Sequence, residues 1–162
     1  MTAQQKPPMD QSWSALADLS AADREAKMAQ RYTELTSLPE DQRVTRMVEM
    51  ARAEYALPYE KLRGFAMSRL RTWLKLDEKV AVPVVDAYDK AMLQMSSTSA
   101  MHRVALNQTL ARDFSEEDRD RLSKLIPTGF GSFIQGINKA RLLAKPPEKV
   151  ITKKGWLPFG KK

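Results

Sequence analysis

The chain has 162 residues, with Lys+Arg 27 against Asp+Glu 20 and a net charge of +7. Hydrophobic residues at 43% and charged residues at 29% are the balance of a globular domain with a sizeable core, and exclude a chain disordered throughout. There is no Cys and a single His, His102, which excludes disulfides, thiolate catalysis and Cys-based metal sites and leaves too few imidazoles for a zinc site.

In chain order, residues 1–11, with Gln4, Gln5, Pro7 and Pro8, read as a disordered lead. They lack the apolar run of a signal peptide and the Arg-rich character of a transit peptide, so the expected compartment is the cytoplasm, with peripheral attachment to a membrane as an extension of it. The WSALADL segment carrying Trp13 is a short amphipathic piece that either folds onto the domain or docks on a partner. Ser20 with Asp23 three residues on forms a capping box and starts a helix over 20–36. Ser37 is expected to cap a second helix, with Pro39 in its first turn beside Glu40 and Asp41. In it Val44, Met47, Val48, Ala51 and Tyr55 share one stripe at helical spacing.

The Leu57-Pro58 pair breaks that helix and opens a third, where Leu62, Phe65, Ala66, Leu70, Trp73 and Leu76 share a face. Asp77 caps a fourth, interrupted by Pro83, with Val84, Ala87, Tyr88, Ala91 and Met95 in register. The apolar run 80–85 is a strand in the other reading, although it has no evident partner, and six residues are far short of the 18 or so that span a bilayer. The polar run 96–99 is expected as a loop whose last Ser caps a helix over 100–113. Ser115 with Asp118 caps a short helix ending at Ile126. After Pro127, Gly129 and Gly131, a last helix is expected through Phe133, Ile134, Ile137, Ala140 and Leu143, ending at Pro146 and Pro147.

These pieces predict an all-α fold: a compact bundle of six or seven short helices over 12–144, preceded by the 1–11 lead and followed by a basic tail over 145–162. No internal repeat at a fixed period is apparent, which favours a single bundle over a helical solenoid.

Charge is uneven along the chain. Residues 1–36 sum to -1, 37–76 to +3, 77–114 to -1, 115–144 to +1, and 145–162 alone to +5. A tail rather than a folded face therefore makes the protein basic. It interleaves Lys149, Lys153, Lys154, Lys161 and Lys162 with Trp156, Leu157 and Phe159, and its Pro and Gly residues prevent an ordinary amphipathic helix. Four readings compete for it: a solvated tail, an anchor for an anionic membrane surface, a linear motif that docks its aromatics on a protein, and a nucleic-acid contact. Lys without Arg fits point-charge attraction better than base reading.

The second candidate surface is the third helix, where Lys61, Arg63, Arg69, Arg71 and Lys75 occur with no acidic residue among them. Arg69 falls within about 20° of the centre of the apolar stripe, so its guanidinium must be paired, snorkel outward, or bind an anionic ligand or partner. The enzymatic candidates are outweighed by structural readings. His102 has no second His or orienting partner. Glu116, Glu117, Asp118 and Asp120 sit in the first turns of a capped helix, where negative charge is favoured. Asp86 and Asp89 are too few ligands for a divalent ion, and the Gly-containing segment 128–132 lacks the Lys-Ser/Thr of a phosphate loop.

The expected function is thus non-enzymatic, with no metal and no cofactor: an interaction or assembly protein that docks on a protein, such as a multi-subunit complex, or on an anionic membrane surface through its tail and its Arg-rich helix. The alternative is a nucleic-acid-associated regulatory protein that needs Arg63, Arg69 and Arg71 on phosphate.

Overall fold

A computed structural model describes residues 13–126, all of it helix, turn and short connection. A 3₁₀ turn, Ala15–Asp18, precedes six α-helices: α1 Ala21–Thr36, α2 Glu40–Tyr55, α3 Tyr59–Lys75, α4 Glu78–Leu93, α5 Ser97–Ala111 and α6 Glu116–Leu125. The all-α bundle is therefore as expected. The 1–11 lead, the helix expected after Gly131 and the 145–162 tail lie outside the described residues. Among the described residues no helix is long and apolar enough to cross a membrane.

Local chemistry explains the boundaries. Ser20 Oγ accepts from the Asp23 N–H at 3.1 Å and donates to the Asp23 carboxylate at 2.7 Å, a reciprocal cap. Asp77 accepts from the Lys79 N–H at 2.8 Å and Ser115 from the Asp118 N–H at 3.1 Å. Two expected boundaries move. Ser37 closes α1 instead of opening α2, its hydroxyl donating to the Glu34 carbonyl at 2.6 Å, and Pro39 takes the N-cap. Helix α5 starts at Ser97, because Ser96 rather than Ser99 supplies the cap oxygen, 3.3 Å from the Ser99 N–H. The 80–85 run is helical. Ala81, Val84, Val85 and Tyr88 are buried at i, i+3, i+4 and i+7, a spacing that one face of a helix can use and a strand cannot. Pro83 sits inside α4 with no N–H for the carbonyl four residues back.

The expectation of no internal repeat is overturned. The six N-caps are Ser20, Pro39, Pro58, Asp77, Ser96 and Ser115, spaced by 19 residues throughout. Before each stands an apolar residue that is buried or half-buried: Leu19, Leu38, Leu57, Leu76, Met95 and Phe114. The side chain fifteen residues past the cap is buried in each of the first five helices, at Leu35, Glu54, Trp73, Met92 and Ala111. In α1, α2 and α6 the fourth residue past the cap is an Arg that reaches back to the carbonyl preceding the cap: Arg24 to Leu19 at 2.9 Å, Arg43 to Leu38 at 3.0 Å and Arg119 to Phe114 at 3.0 Å. These clamps tie each helix start to the turn before it. Arg24 also donates to the Leu16 carbonyl at 3.2 Å, which fixes the 3₁₀ turn.

Packing follows the repeat. The most extensive contacts join a helix to the next but one, α1 to α3 and α2 to α4, rather than to its chain neighbour, with α1 also against α4. Helix α3 is central: it buries eight residues, more than any other helix of the bundle, and meets the 3₁₀ turn and every other helix. The Trp13 segment folds onto the bundle. Its indole is 1% exposed and stands edge-on to Tyr32 and Phe65, at centroid distances of 5.4 and 5.5 Å. Tyr32 continues to Trp73 at 6.2 Å and Trp73 to Tyr88 at 5.1 Å, so a run of aromatic rings crosses the core.

Candidate functional site

The aromatic run ends on charge. Arg69 on α3 and Glu54 on α2 form an ion pair, Nε to Oε1 at 2.9 Å, with both side chains 1% exposed. The Arg69 guanidinium lies 4.6 Å from the centre of the Tyr88 ring and 4.9 Å from that of Trp73, so it is held between aromatic faces. Arg103 from α5 stacks on Tyr88 at 5.1 Å and pairs with Asp89. The Tyr88 hydroxyl donates to that of Tyr55 at 3.1 Å. Of the two sequence readings of Arg69, its placement is the paired one.

Electrostatics here are set by burial. Desolvation raises the Glu54 carboxyl above the usual carboxylate range, against the pull of Arg69, and its Oε2 has no hydrogen-bond partner. Burial works to lower Arg69, but Glu54 and the surrounding tyrosines outweigh it and raise the guanidinium further. Tyr32, Tyr55 and Tyr88 are all raised, chiefly by burial. Tyr55 is only partly buried, whereas the Glu54–Arg69 pair is sealed from solvent. Its chemistry is that of a compensated interior charge, which ties α2, α3 and α4 together.

On the outer surface of α3, Lys61 pairs with Asp18 at 2.5 Å, Arg63 with Asp113 at 3.2 Å and Lys75 with Glu25 at 2.7 Å. Arg71 is exposed and makes no ion pair among the described residues. The five cations expected to form one anion-binding helix are therefore split: three bound to acids of the 3₁₀ turn, α1 and the α5–α6 turn, one interior, one free. The Arg63, Arg69 and Arg71 set that a phosphate contact requires does not share a surface, because Arg69 is 0% exposed. Across residues 13–126 there are 18 Lys and Arg and 18 Asp and Glu, so the described bundle is neutral and the whole +7 belongs to 127–162. The tail residues Lys149, Lys153, Lys154, Trp156, Leu157, Phe159, Lys161 and Lys162 lie outside the described residues.

The remaining candidates are placed as follows. His102 is exposed. Asp86 pairs with Lys90 at 2.8 Å and Asp89 with Arg103. Glu116, Glu117 and Asp118 are in the first turn of α6, and no cluster of three metal-ligating side chains occurs among the described residues. Among the clefts on the described surface, two are of similar volume. One of about 450 Å³ lies between the end of α3, α4 and α6, with Trp73, Leu76, Val82, Val85 and Leu125 in its walls. The other, of about 440 Å³, is polar and lined by Arg52, Tyr55, Gln94, Ser96 and Ser99. Sequence reasoning missed Glu54, although a signal existed: it stands seven residues after Met47, within about 20° of it around the helix, and so on the stripe already assigned to the core. Compared with protein-family models, with curated proteins and with solved structures, the chain has no significant match.

Proposed function

We propose that the chain is a non-enzymatic adaptor in which the neutral helical bundle is the carrier and the basic aromatic tail, 145–162, docks on an anionic membrane surface. The observation behind this reading is the charge balance: 18 cations meet 18 anions across 13–126, and most of the cations of α3 are already bound to acids of the same bundle. Long-range attraction to an acidic surface is then left to the tail, assisted by Arg71. Lys side chains act there as point charges, each adding about 1 kcal/mol near an anionic leaflet, while Trp156, Leu157 and Phe159 insert at headgroup depth. A cytoplasmic protein held peripherally at a membrane is the corresponding location.

The test is co-sedimentation of the full-length chain with neutral and with anionic phospholipid vesicles at low and high salt. Binding to the anionic vesicles only, weakened but not abolished by salt, is expected, with loss on joint Trp156→Ala and Phe159→Ala substitution. Complete loss at high salt with no effect of the two aromatics would exclude insertion. Absence of binding at low salt would overturn the membrane reading and leave the acidic face of a protein complex as the docking surface.

A further inference from the structure

The 19-residue repeat makes one end of the bundle incomplete. Helices pack on the next but one, α1 on α3 and α2 on α4. The eighth residue past the cap is buried in each of these four, at Met28, Met47, Ala66 and Val85. In α5 the same register position is Val104, which is 53% exposed, and Met101 beside it is 72% exposed. Only the second half of α5 is buried, through Leu106, Asn107, Leu110 and Ala111. Its first two turns thus present core-type residues to solvent where the rule of the repeat places the helix two positions further on.

The described chain ends at Ile126, and the next apolar residue in the 19-residue series, after Leu19, Leu38, Leu57, Leu76, Met95 and Phe114, is Phe133. From it runs the stripe Ile134, Ile137, Ala140 and Leu143. The stretch carries Lys139 off the stripe, Arg141 at its edge and no acid. Six residues, 127–132, join it to α6, enough to span roughly 20 Å when extended.

From the repeat we infer that residues 133–144 are a seventh repeat, and that their apolar stripe docks on the Met101 and Val104 face of α5. The contact buries two sets of side chains that would otherwise both stand in water. It also fixes where the 145–162 tail leaves the bundle. The inference rests on the spacing of the caps and on burial, and is independent of what the tail binds.

The absence of Cys makes the test direct. Val104→Cys combined with Ile137→Cys in the full-length chain, treated with a short bismaleimide, should give an intramolecular cross-link in most molecules. Val82→Cys with Ile137→Cys, which probes the other apolar cleft, should give little. A preferred cross-link at Val82, a product of twice the monomer mass, or no cross-link in either pair would each overturn the inference. Hydrogen exchange supplies a second measurement. Ile137→Asp should lower amide protection over 97–105 by about tenfold and leave α2 and α4 unchanged. Unchanged protection of α5 would likewise refute the docking. Vesicle binding by the tail can fail while the cross-link succeeds, or the reverse, so the two readings are tested apart.

Discussion

Replacing Glu54 by Gln tests the account of the interior most directly. At 2.9 Å and an effective dielectric constant of about 20, the Glu54–Arg69 attraction is about 6 kcal/mol, and several kcal/mol of desolvation per ion oppose it. The pair as a whole therefore contributes little beyond well-packed apolar groups, but removing one partner leaves a buried uncompensated charge, at a cost of about 3–5 kcal/mol. The faces of Tyr88 and Trp73 still stabilise the Arg69 cation, which places Glu54→Gln near 3 kcal/mol. At a urea m-value of about 2 kcal/mol per M, the unfolding midpoint drops by roughly 1.5 M. Arg69→Met should cost less, because Glu54, already raised by burial, can take up a proton, whereas Arg cannot lose one. Lowering the pH toward 5, where Glu54 of the Arg69→Met variant takes up its proton, should make that variant more stable, whereas the Glu54→Gln variant has no such carboxyl to protonate. Replacing both by Leu and Met should return stability to within about 1 kcal/mol of the parent or above it. Urea unfolding followed by Trp fluorescence and by helical circular dichroism measures all three variants. A Glu54→Gln cost below about 1 kcal/mol, or a double variant as unstable as the two single costs added, would refute the reasoning.

Alkaline stability follows from the tyrosines. Tyr32, Tyr55 and Tyr88 are raised in the folded state while their unfolded values stay near 10. Above about pH 10 the unfolded chain binds fewer protons than the folded one, so stability, intact below that pH, falls by up to about 4 kcal/mol per pH unit for the three together. Tyr32→Phe should remove about a third of that slope in urea titrations at pH 10–11.5. Gly64 is exposed in the middle of α3, and an added Cβ would meet only the Arg24 guanidinium, at an ordinary 3.4 Å. Gly64→Ala should therefore stabilise by about 0.5–1 kcal/mol, read as a rise of a few degrees in Tm, and a loss of stability would mean that the Arg24 clamp tolerates no neighbour there. Ser115→Ala removes the α6 cap bond and should cost about 1 kcal/mol in the same assay.

How much of this was legible depends on which property each residue expresses. Caps with a side-chain oxygen were readable at Ser20, Asp77 and Ser115, because the partner N–H is two or three residues away and no tertiary contact is involved. Among the run of four hydroxyl residues at 96–99, any of them can cap in isolation, and the choice of Ser96 depends on where the fold turns. The apolar stripes of α2, α3 and α4 were readable from period alone. Met50 was not, since α2 is covered on a wider arc than one stripe, and Glu54, although on the stripe, is a charged residue whose burial depends on a partner from another helix. Arg69 was visible as an anomaly because a guanidinium on an apolar stripe needs a partner, but the partner lies fifteen residues back on another helix. No local rule links the two positions.

The repeat escaped for a different reason, and that reason bears on what the fold is. Its recurring element is a geometric role filled by different residues: the cap is Ser, Pro or Asp, and the residue before it Leu, Met or Phe. Fifteen residues past the cap stand Leu35, Glu54, Trp73, Met92 and Ala111, which share burial and nothing else. In a solenoid each repeat meets the same surroundings, and like positions keep like residues. Here α3 meets every other described helix while α5 is covered only along its second half, so equivalent positions meet different neighbours and differ in type. The first five helices keep lengths of 15 to 17 residues and all connections are two to four residues long, and the stacked pairs α1 with α3 and α2 with α4 close into a bundle instead of extending as an array. The exposed Met101 and Val104 mark where that closure is unfinished within 13–126, and the 19-residue series of apolar residues continues in the sequence to Phe133.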